Sequence, residues 1–285
     1  MIEKLRKMLP EKTAAYIERP ENRRYYTGFT SSNGFLFVTK DTAVFYTDFR
    51  YIIAARNAVD KRIEVRELDK NRYEIVADLV KKENINTVLI EENSLSYASA
   101  KKLENAVLPA KIMPEGDGYT VSLRQIKTES EIAKIKKAQI IADKGFGFLC
   151  KLIAERKTDL TEKEAAAKLE YFMKCEGADD LSFSVIAAFG ENSACPHAVP
   201  TERKAKKGDA LLFDYGAKVD GYCSDITRTV FLSEASEKQR NIYDIVLSAQ
   251  KAALENIREG KTGAEIDRVA RDIISSRGYG SLFGH

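Results

Sequence analysis

The sequence predicts two domains, an α/β domain with a mainly parallel or mixed sheet over residues 1–122 and an α+β domain over residues 123–285. Strand and helix patterns alternate along the first part, as is typical of α/β domains. A capped helix that ends at a glycine occurs twice along the second part in a common register, and strands follow the first copy. The length of 285 residues exceeds one average domain and suits two.

Apolar strand segments alternate with helical segments through the first domain. The predicted strands cover 34–39, 43–47, 63–68, 87–91 and 110–113, and the predicted helices cover 50–59, 71–82 and 97–106. This domain has no histidine and no phosphate-cradling glycine run, and its carboxylates are scattered. We therefore expect it to act as a scaffold, a substrate gate or a dimerisation element.

The second domain contains a repeated helical unit. A capping box at Thr128 opens a long helix, and further boxes at Thr161 and Thr262 each open a shorter one. Four pairs of residues are 101 positions apart: Thr161 and Thr262, Glu164 and Glu265, Gly177 and Gly278, Leu181 and Leu282. The first copy continues into strands, so we expect roughly 50 further residues to follow His285 in the natural polypeptide, of which this chain would be a truncated product.

Residues 210–231 are predicted to form a β-hairpin with an aspartate on each strand. A four-residue loop at 218–221 would place Asp214 opposite Asp225, whereas a two-residue turn at Asp220 and Gly221 would make them diagonal neighbours. Both registers put the two carboxylates on one face. Opposite residues have Cβ atoms about 4.5–5.5 Å apart, a distance at which bare carboxylates repel.

A positive charge is needed between these aspartates, and no nearby lysine or arginine supplies it. Lys218 lies in the predicted loop, and Arg228 has the opposite strand parity from Asp225. A divalent cation fits, because carboxylate oxygens suit Mn, Mg, Ca or a hydrolytic Zn or Co centre. The alternative is a pair of ordinary strand-end aspartates facing water.

The chain has two histidines. His197 lies in a glycine- and proline-bounded segment just before the hairpin, from which an imidazole could donate to a developing oxyanion or a peptide nitrogen. The alternative for His197 is a surface-loop histidine bonded to backbone, and the alternative for His285, the final residue, is a frayed terminus.

The composition limits the partners. Lys and Arg number 46 against 43 Asp and Glu, so no basic field indicates nucleic acid or an anionic membrane, and a peptide or small molecule is expected. The four cysteines are irregularly spaced, as is typical of reduced thiols. Without a signal peptide or a membrane-length apolar run, a cytoplasmic protein is expected.

Several motifs resemble the pita-bread metallopeptidases, most closely the Xaa-Pro aminopeptidase and Xaa-Pro dipeptidase (prolidase) branch. They are the two aspartates separated by ten residues, the run DITRT at 225–229, the segment 190–197 and the closing residues 282–285. Segments 26–29 and 47–51 resemble the creatinase-like N-terminal domain of that branch, so the resemblance covers nearly the whole chain. It implies a creatinase-like α/β domain with a mixed sheet, followed by the α+β pita-bread fold.

The resemblance also implies roles for individual residues. Asp214 would chelate one divalent metal and Asp225 would bridge two, with Mn expected and Co or Zn as alternatives. His197 would contact the substrate near the scissile bond, His285 would assist substrate binding, and Thr227 would place a hydroxyl near Asp225. The remaining ligands, one histidine and two glutamates, would lie beyond His285, so this chain is expected to bind metal weakly and to be inactive.

For the full-length protein, the resemblance implies hydrolysis of the bond between an N-terminal residue and a following proline, by a homodimer. Cleavage of dipeptides alone and trimming of longer peptides both stay open. One alternative is a metal-free creatinase-type hydrolase, although that chemistry has little need of both aspartates. Another is a non-catalytic peptide- or protein-binding member of the fold. Methionine aminopeptidase is disfavoured by the long N-terminal domain.

Overall fold

A computed structural model describes residues 1–69, 71–116 and 118–284. The chain forms two compact units, Met1–Ile132 and Ala133–His285. We predicted the boundary between residues 122 and 123, and the structure divides the chain after Ile132. The start of the long helix lies in the first unit, where the buried Glu131 accepts a hydrogen bond from the Thr128 hydroxyl and its charge contributes to the raised pKa of Tyr25.

The first unit is built on one mixed six-stranded sheet in the order β4-β3-β2-β1-β5-β6. The pairs β1–β2 and β2–β3 are antiparallel, and β3–β4, β1–β5 and β5–β6 are parallel. The elements are α1 (Ile2–Met8), β1 (Thr13–Ile17), α2 (Pro20–Thr27), β2 (Phe35–Val38), β3 (Ala43–Thr47), α3 (Ile52–Ala58), β4 (Glu64–Glu67), α4 (Arg72–Lys82), β5 (Thr87–Ile90), α5 (Tyr97–Val107), β6 (Lys111–Pro114) and α6 (Ser122–Gln125).

Helices cover both faces of this sheet. Alternate strand residues point to opposite faces, so Tyr16 and Phe37 pack with α4 and α5, whereas Ile17 and Val38 pack with α1 and α3. The predicted mixed α/β sheet is confirmed, and every predicted strand and helix of this unit is present. The central strand β1 and the helices α1, α2 and α6 were missed.

A buried polar cluster ties α2 to the end of β5. Glu91 accepts the backbone N–H groups of Glu18 and Arg19, each at 2.7 Å, and the side-chain amide of Asn22 at 2.5 Å. Glu115 lies nearby and accepts a hydrogen bond from the hydroxyl of Thr120. Burial raises the pKa of Glu115 from 4.5 to about 7, and the neighbouring Glu91 charge adds to this effect.

This pKa predicts a pH-dependent stability of the first unit. Because the folded-state pKa is raised, protonated Glu115 contributes stability that is fully present below pH 4.5 and is lost as the pH rises through about 7. We expect the melting temperature of the first unit in the wild-type protein to fall between pH 5 and pH 8. We expect Glu115→Gln to reduce that fall. Thermal unfolding followed by circular dichroism measures this, with the exposed Glu67→Gln as control. Equal pH dependence in both variants would contradict it.

The second unit contains two short three-stranded sheets, β11-β10-β7 and β12-β9-β8, packed against long helices. Its elements are α7 (Glu129–Arg156), α8 (Glu162–Cys175), β7 (Asp180–Leu181), β8 (Ile186–Phe189), β9 (Ala210–Tyr215), β10 (Ala217–Val219), β11 (Tyr222–Cys223), β12 (Ile226–Phe231), α9 (Glu237–Asn256) and α10 (Gly263–Ser276). Residues of α7, α8 and one face of the β8–β9–β12 sheet form the main core.

The predicted repeat of the helical unit is visible in the structure. The side chains of Thr161 and Thr262 each accept the backbone N–H of the glutamate three positions later. The helices that they cap are followed by glycines with positive φ, 98° at Gly177 and 82° at Gly278. Within the described part of the chain, none of the helices combines the length and apolar character needed to cross a bilayer.

Candidate metal site

The hairpin register places both aspartates on one sheet face. Asp220 and Gly221 form a two-residue turn with φ values of 49° and 78°, and Val219 pairs with Tyr222 beside it. The same register pairs Thr227 with Asp214. Of the two arrangements left open by the sequence, the structure therefore has the diagonal one, in which Asp225 lies two residues before the partner of Asp214.

Strand alternation keeps this face separate from the core. Phe213, Tyr215 and Ile226, which flank the aspartates, are buried in the main core. Asp214 is half-buried and Asp225 is exposed on the opposite face. Each aspartate thus leaves the strand on the side away from the apolar packing, where a polar ligand can reach it.

A tight approach of the two strands fixes the position of Asp225. Gly216 has no side chain, and a Cβ added there would lie 1.8 Å from the carbonyl oxygen of Ser224. The Ser182 hydroxyl donates to that same carbonyl at 2.7 Å, and the Ser224 hydroxyl donates to the carbonyl of Ala138 at 3.1 Å. These bonds hold the residue that immediately precedes Asp225.

The two carboxylates influence each other. The pKa of Asp225 is raised, first by partial burial and then by the charge of Asp214 and a hydrogen bond with it. Arg228 lies on the other face, with its guanidinium 5.8 Å from the centre of the Phe146 ring and 3.9 Å from Asp143. Arg228 therefore does not neutralise Asp214 and Asp225, as its position on the opposite face of the strand predicted.

The Thr227 hydroxyl bonds to one of the two aspartates. The resemblance places this hydroxyl near Asp225, and in the structure it donates to Oδ1 of Asp214 at 2.8 Å. The register accounts for this bond, because Thr227 lies directly opposite Asp214. This hydrogen bond orients the Asp214 carboxylate.

The donor chemistry of the pair fits a divalent cation. Two carboxylates on one face supply hard oxygen atoms, and their mutual repulsion is relieved by a cation between them. Among the described residues, no group of three or more His, Cys, Asp or Glu side chains is placed to hold a metal ion. Asp214 and Asp225 are thus the two described side chains of this face that could hold part of a metal site.

The structure places His197 in an exposed turn of the loop between β8 and β9. This loop begins with the 3-10 helix Gly190–Ala194. Ile186 at the start of β8 pairs with Asp214, and Phe189 at its end pairs with Leu211, so the loop leaves the sheet at the end away from Asp214. The second predicted histidine, His285, lies outside the described residues.

Sequence reasoning missed the residues that support the site. Gly216, Ser182 and Ser224 shape the strand approach, and the buried Glu162 contacts the loop that carries His197. A glycine within an apolar strand was an available signal for close backbone approach. Nothing comparable pointed to Glu162, which occurs among many other glutamates at helix starts.

Comparison with known proteins finds a matching family for each of the two units. Residues 133–285 match metallopeptidase family M24, and residues 1–126 match the creatinase/prolidase N-terminal domain. The fold and the paired aspartates thus define a metallopeptidase of the pita-bread class with a creatinase-like N-terminal domain. The chain belongs to metallopeptidase family M24.

Individual relatives match along nearly the whole chain. It is 37% identical over 288 residues to the Xaa-Pro dipeptidase of Pyrococcus furiosus, covering 100% of this chain and 79% of the relative. It is 37% identical over 264 residues to the uncharacterized peptidase YqhT of Bacillus subtilis, covering 93% and 73%. The solved structure of an Xaa-Pro dipeptidase from Bacillus anthracis superimposes with a TM-score of 0.93 at 37% identity, covering 100% of this chain and 79% of that one.

Proposed function

We propose that the protein hydrolyses the peptide bond before proline, at the N-terminus of peptides or in dipeptides, in a metal-dependent reaction. The observation that carries this proposal is the pair formed by Asp214 and Asp225 on one face of the β9–β12 sheet, with no basic side chain of that strand between them. Two relatives, each 37% identical to this chain, are Xaa-Pro dipeptidases, and this similarity supports the proposal.

In this proposal Asp214 and Asp225 hold two divalent metal ions, with Mn favoured and Co or Zn as alternatives. Divalent ions so bound lower the pKa of water and polarise the scissile carbonyl. Thr227 keeps the Asp214 carboxylate oriented toward this site through its 2.8 Å hydrogen bond. His197 donates to the oxyanion that develops on the substrate, and His285 assists substrate binding.

The substrate is a peptide with proline at the second position. Dipeptides and longer peptides both stay open as substrates, because the choice between them depends on what closes the substrate cleft. A homodimer and a cytoplasmic location stay predictions.

Hydrolysis assays with Mn²⁺ test the proposal, using Gly-Pro and Gly-Ala as substrates. We expect no turnover by the 285-residue chain, and cleavage of Gly-Pro but not Gly-Ala by a version extended past His285 that supplies one histidine and two glutamate ligands. Removal of the metal with a chelator should stop the reaction. An extended protein that binds Gly-Pro and Mn²⁺ without cleaving the dipeptide would instead support the peptide-binding alternative.

A further inference from the structure

Glu162 is a fully buried carboxylate outside the metal site. It is the first residue of α8, directly after the cap residue Thr161, and its relative exposure is 0%. A glutamate is rarely buried to this extent unless its charge is matched by hydrogen-bond donors or cations. Its position in the first helical turn is also favoured by the helix dipole.

The donors to Glu162 come from both ends of the loop that carries His197. On the near side, the Phe189 N–H donates at 2.7 Å and the Asn192 side-chain amide at 2.9 Å. On the far side, Thr201 donates twice, from its N–H at 2.9 Å and from its hydroxyl at 2.5 Å. One carboxylate therefore closes the loop at its base.

The returning arm of the loop is also bonded along the start of α8. The N–H of Glu162 donates to the carbonyl of Arg203 at 3.2 Å, and the N–H of Lys163 donates to the carbonyl of Thr201 at 3.1 Å. These contacts use N–H groups that a helix cannot satisfy by itself. The start of α8 and the loop base thus form one hydrogen-bonded unit, of which the Glu162 side chain is the centre.

We propose that Glu162 is a positioning residue that fixes both ends of the 189–201 loop and so determines where His197 is presented. The hydrogen bonds of the Glu162 carboxylate support this anchoring whether or not the proposed function is correct. The consequence for substrate rests on the proposed function, in which His197 contacts the substrate.

A glutamine at this position tests the anchor with little change in volume. It removes the charge and turns one acceptor oxygen into an NH₂ group that faces the donors of Asn192 or Thr201. Glu164→Gln is the matched control, because Glu164 lies in the same turn and its side chain pairs with Arg156 and Lys168. Thr201→Val is a milder second variant that removes one donor to Glu162.

Two measurements on the full chain report on the loop. The imidazole signals in NMR spectra of histidine-labelled protein are simple to assign, since the chain has two histidines and His285→Gln identifies the second. We expect Glu162→Gln to shift the His197 signals and to speed thermolysin cleavage before Val199 about 10-fold, Thr201→Val to have a smaller effect, and Glu164→Gln to have none. If Glu162→Gln does not fold, the His197 signals and the cleavage rate of Thr201→Val test the proposal. Wild-type signals and cleavage in the folded variants would overturn the proposal.

A dipeptide titration separates this inference from the proposed function. With Zn²⁺ present, Gly-Pro should shift the His197 signals of the wild-type protein, and Glu162→Gln should need about 10-fold more dipeptide for the same shift. A wild-type protein that does not respond to Gly-Pro would count against the role of His197 in the proposed function. The loop measurements would still decide whether Glu162 holds the loop.

Discussion

Asp214→Asn is expected to raise the dissociation constant for Mn²⁺ at least about 100-fold, because it removes a proposed metal ligand and one negative charge. Replacement of groups that only orient metal ligands already costs about 10- to 100-fold in affinity. The Asp214 charge and a hydrogen bond between the two carboxylates contribute to the raised pKa of Asp225, and in the variant Asp225 would face the cation alone. Isothermal titration with Mn²⁺ measures the change.

The same hairpin offers a matched control. Asp220→Asn makes the identical chemical change in the two-residue turn, where φ is 49° and asparagine is well tolerated. We expect this variant to bind Mn²⁺ like the wild type. Equal weakening by Asp214→Asn and Asp220→Asn would show that the hairpin contributes only general negative charge.

Gly216→Ala is expected to destabilise the second unit by about 3 kcal/mol or more. The new Cβ would lie 1.8 Å from the carbonyl oxygen of Ser224 and 2.8 Å from the hydroxyl of Ser182. These atoms are backbone or are held by hydrogen bonds, so relief requires the strands to separate. Because Ser224 precedes Asp225, separation would also move a proposed metal ligand.

Urea unfolding followed by circular dichroism measures this loss, with Gly147→Ala as control. A Cβ at Gly147, within the long helix α7, meets nothing within 4 Å. Alanine there should leave stability unchanged or raise it by up to about 1 kcal/mol through helix propensity. Similar unfolding curves for the two alanine variants would contradict the close approach at Gly216.

Local sequence signals predicted most elements of the fold. The capping boxes at Thr161 and Thr262 identified helix starts, since the capping bonds join residues three positions apart. The strand β1 was missed because its five residues, TAAYI, form a short apolar run with no alternation, as expected of a strand buried on both faces. The helix α2 has few apolar residues, and its start is held by Glu91, more than 70 positions away.

The sequence predicted the two aspartates of the candidate site but not the residues that hold the surrounding backbone in place. Strand parity placed Asp214 and Asp225 on one face in either register, and only the backbone angles at the turn select between the registers. The bonds of Glu162 to Phe189 and Thr201 span 27 and 39 positions. Such contacts depend on tertiary packing, so a single sequence carries no local pattern for them.

The location of bound Mn²⁺ tests the central claim most directly. Crystals of the protein grown with Mn²⁺ can be measured by anomalous diffraction, which identifies the metal position independently of any mutation. We predict an anomalous peak at about 2.2 Å from carboxylate oxygens of both Asp214 and Asp225. Manganese bound only at other sites, with these two carboxylates bonded to water or protein alone, would contradict the assignment of a metal site to this hairpin.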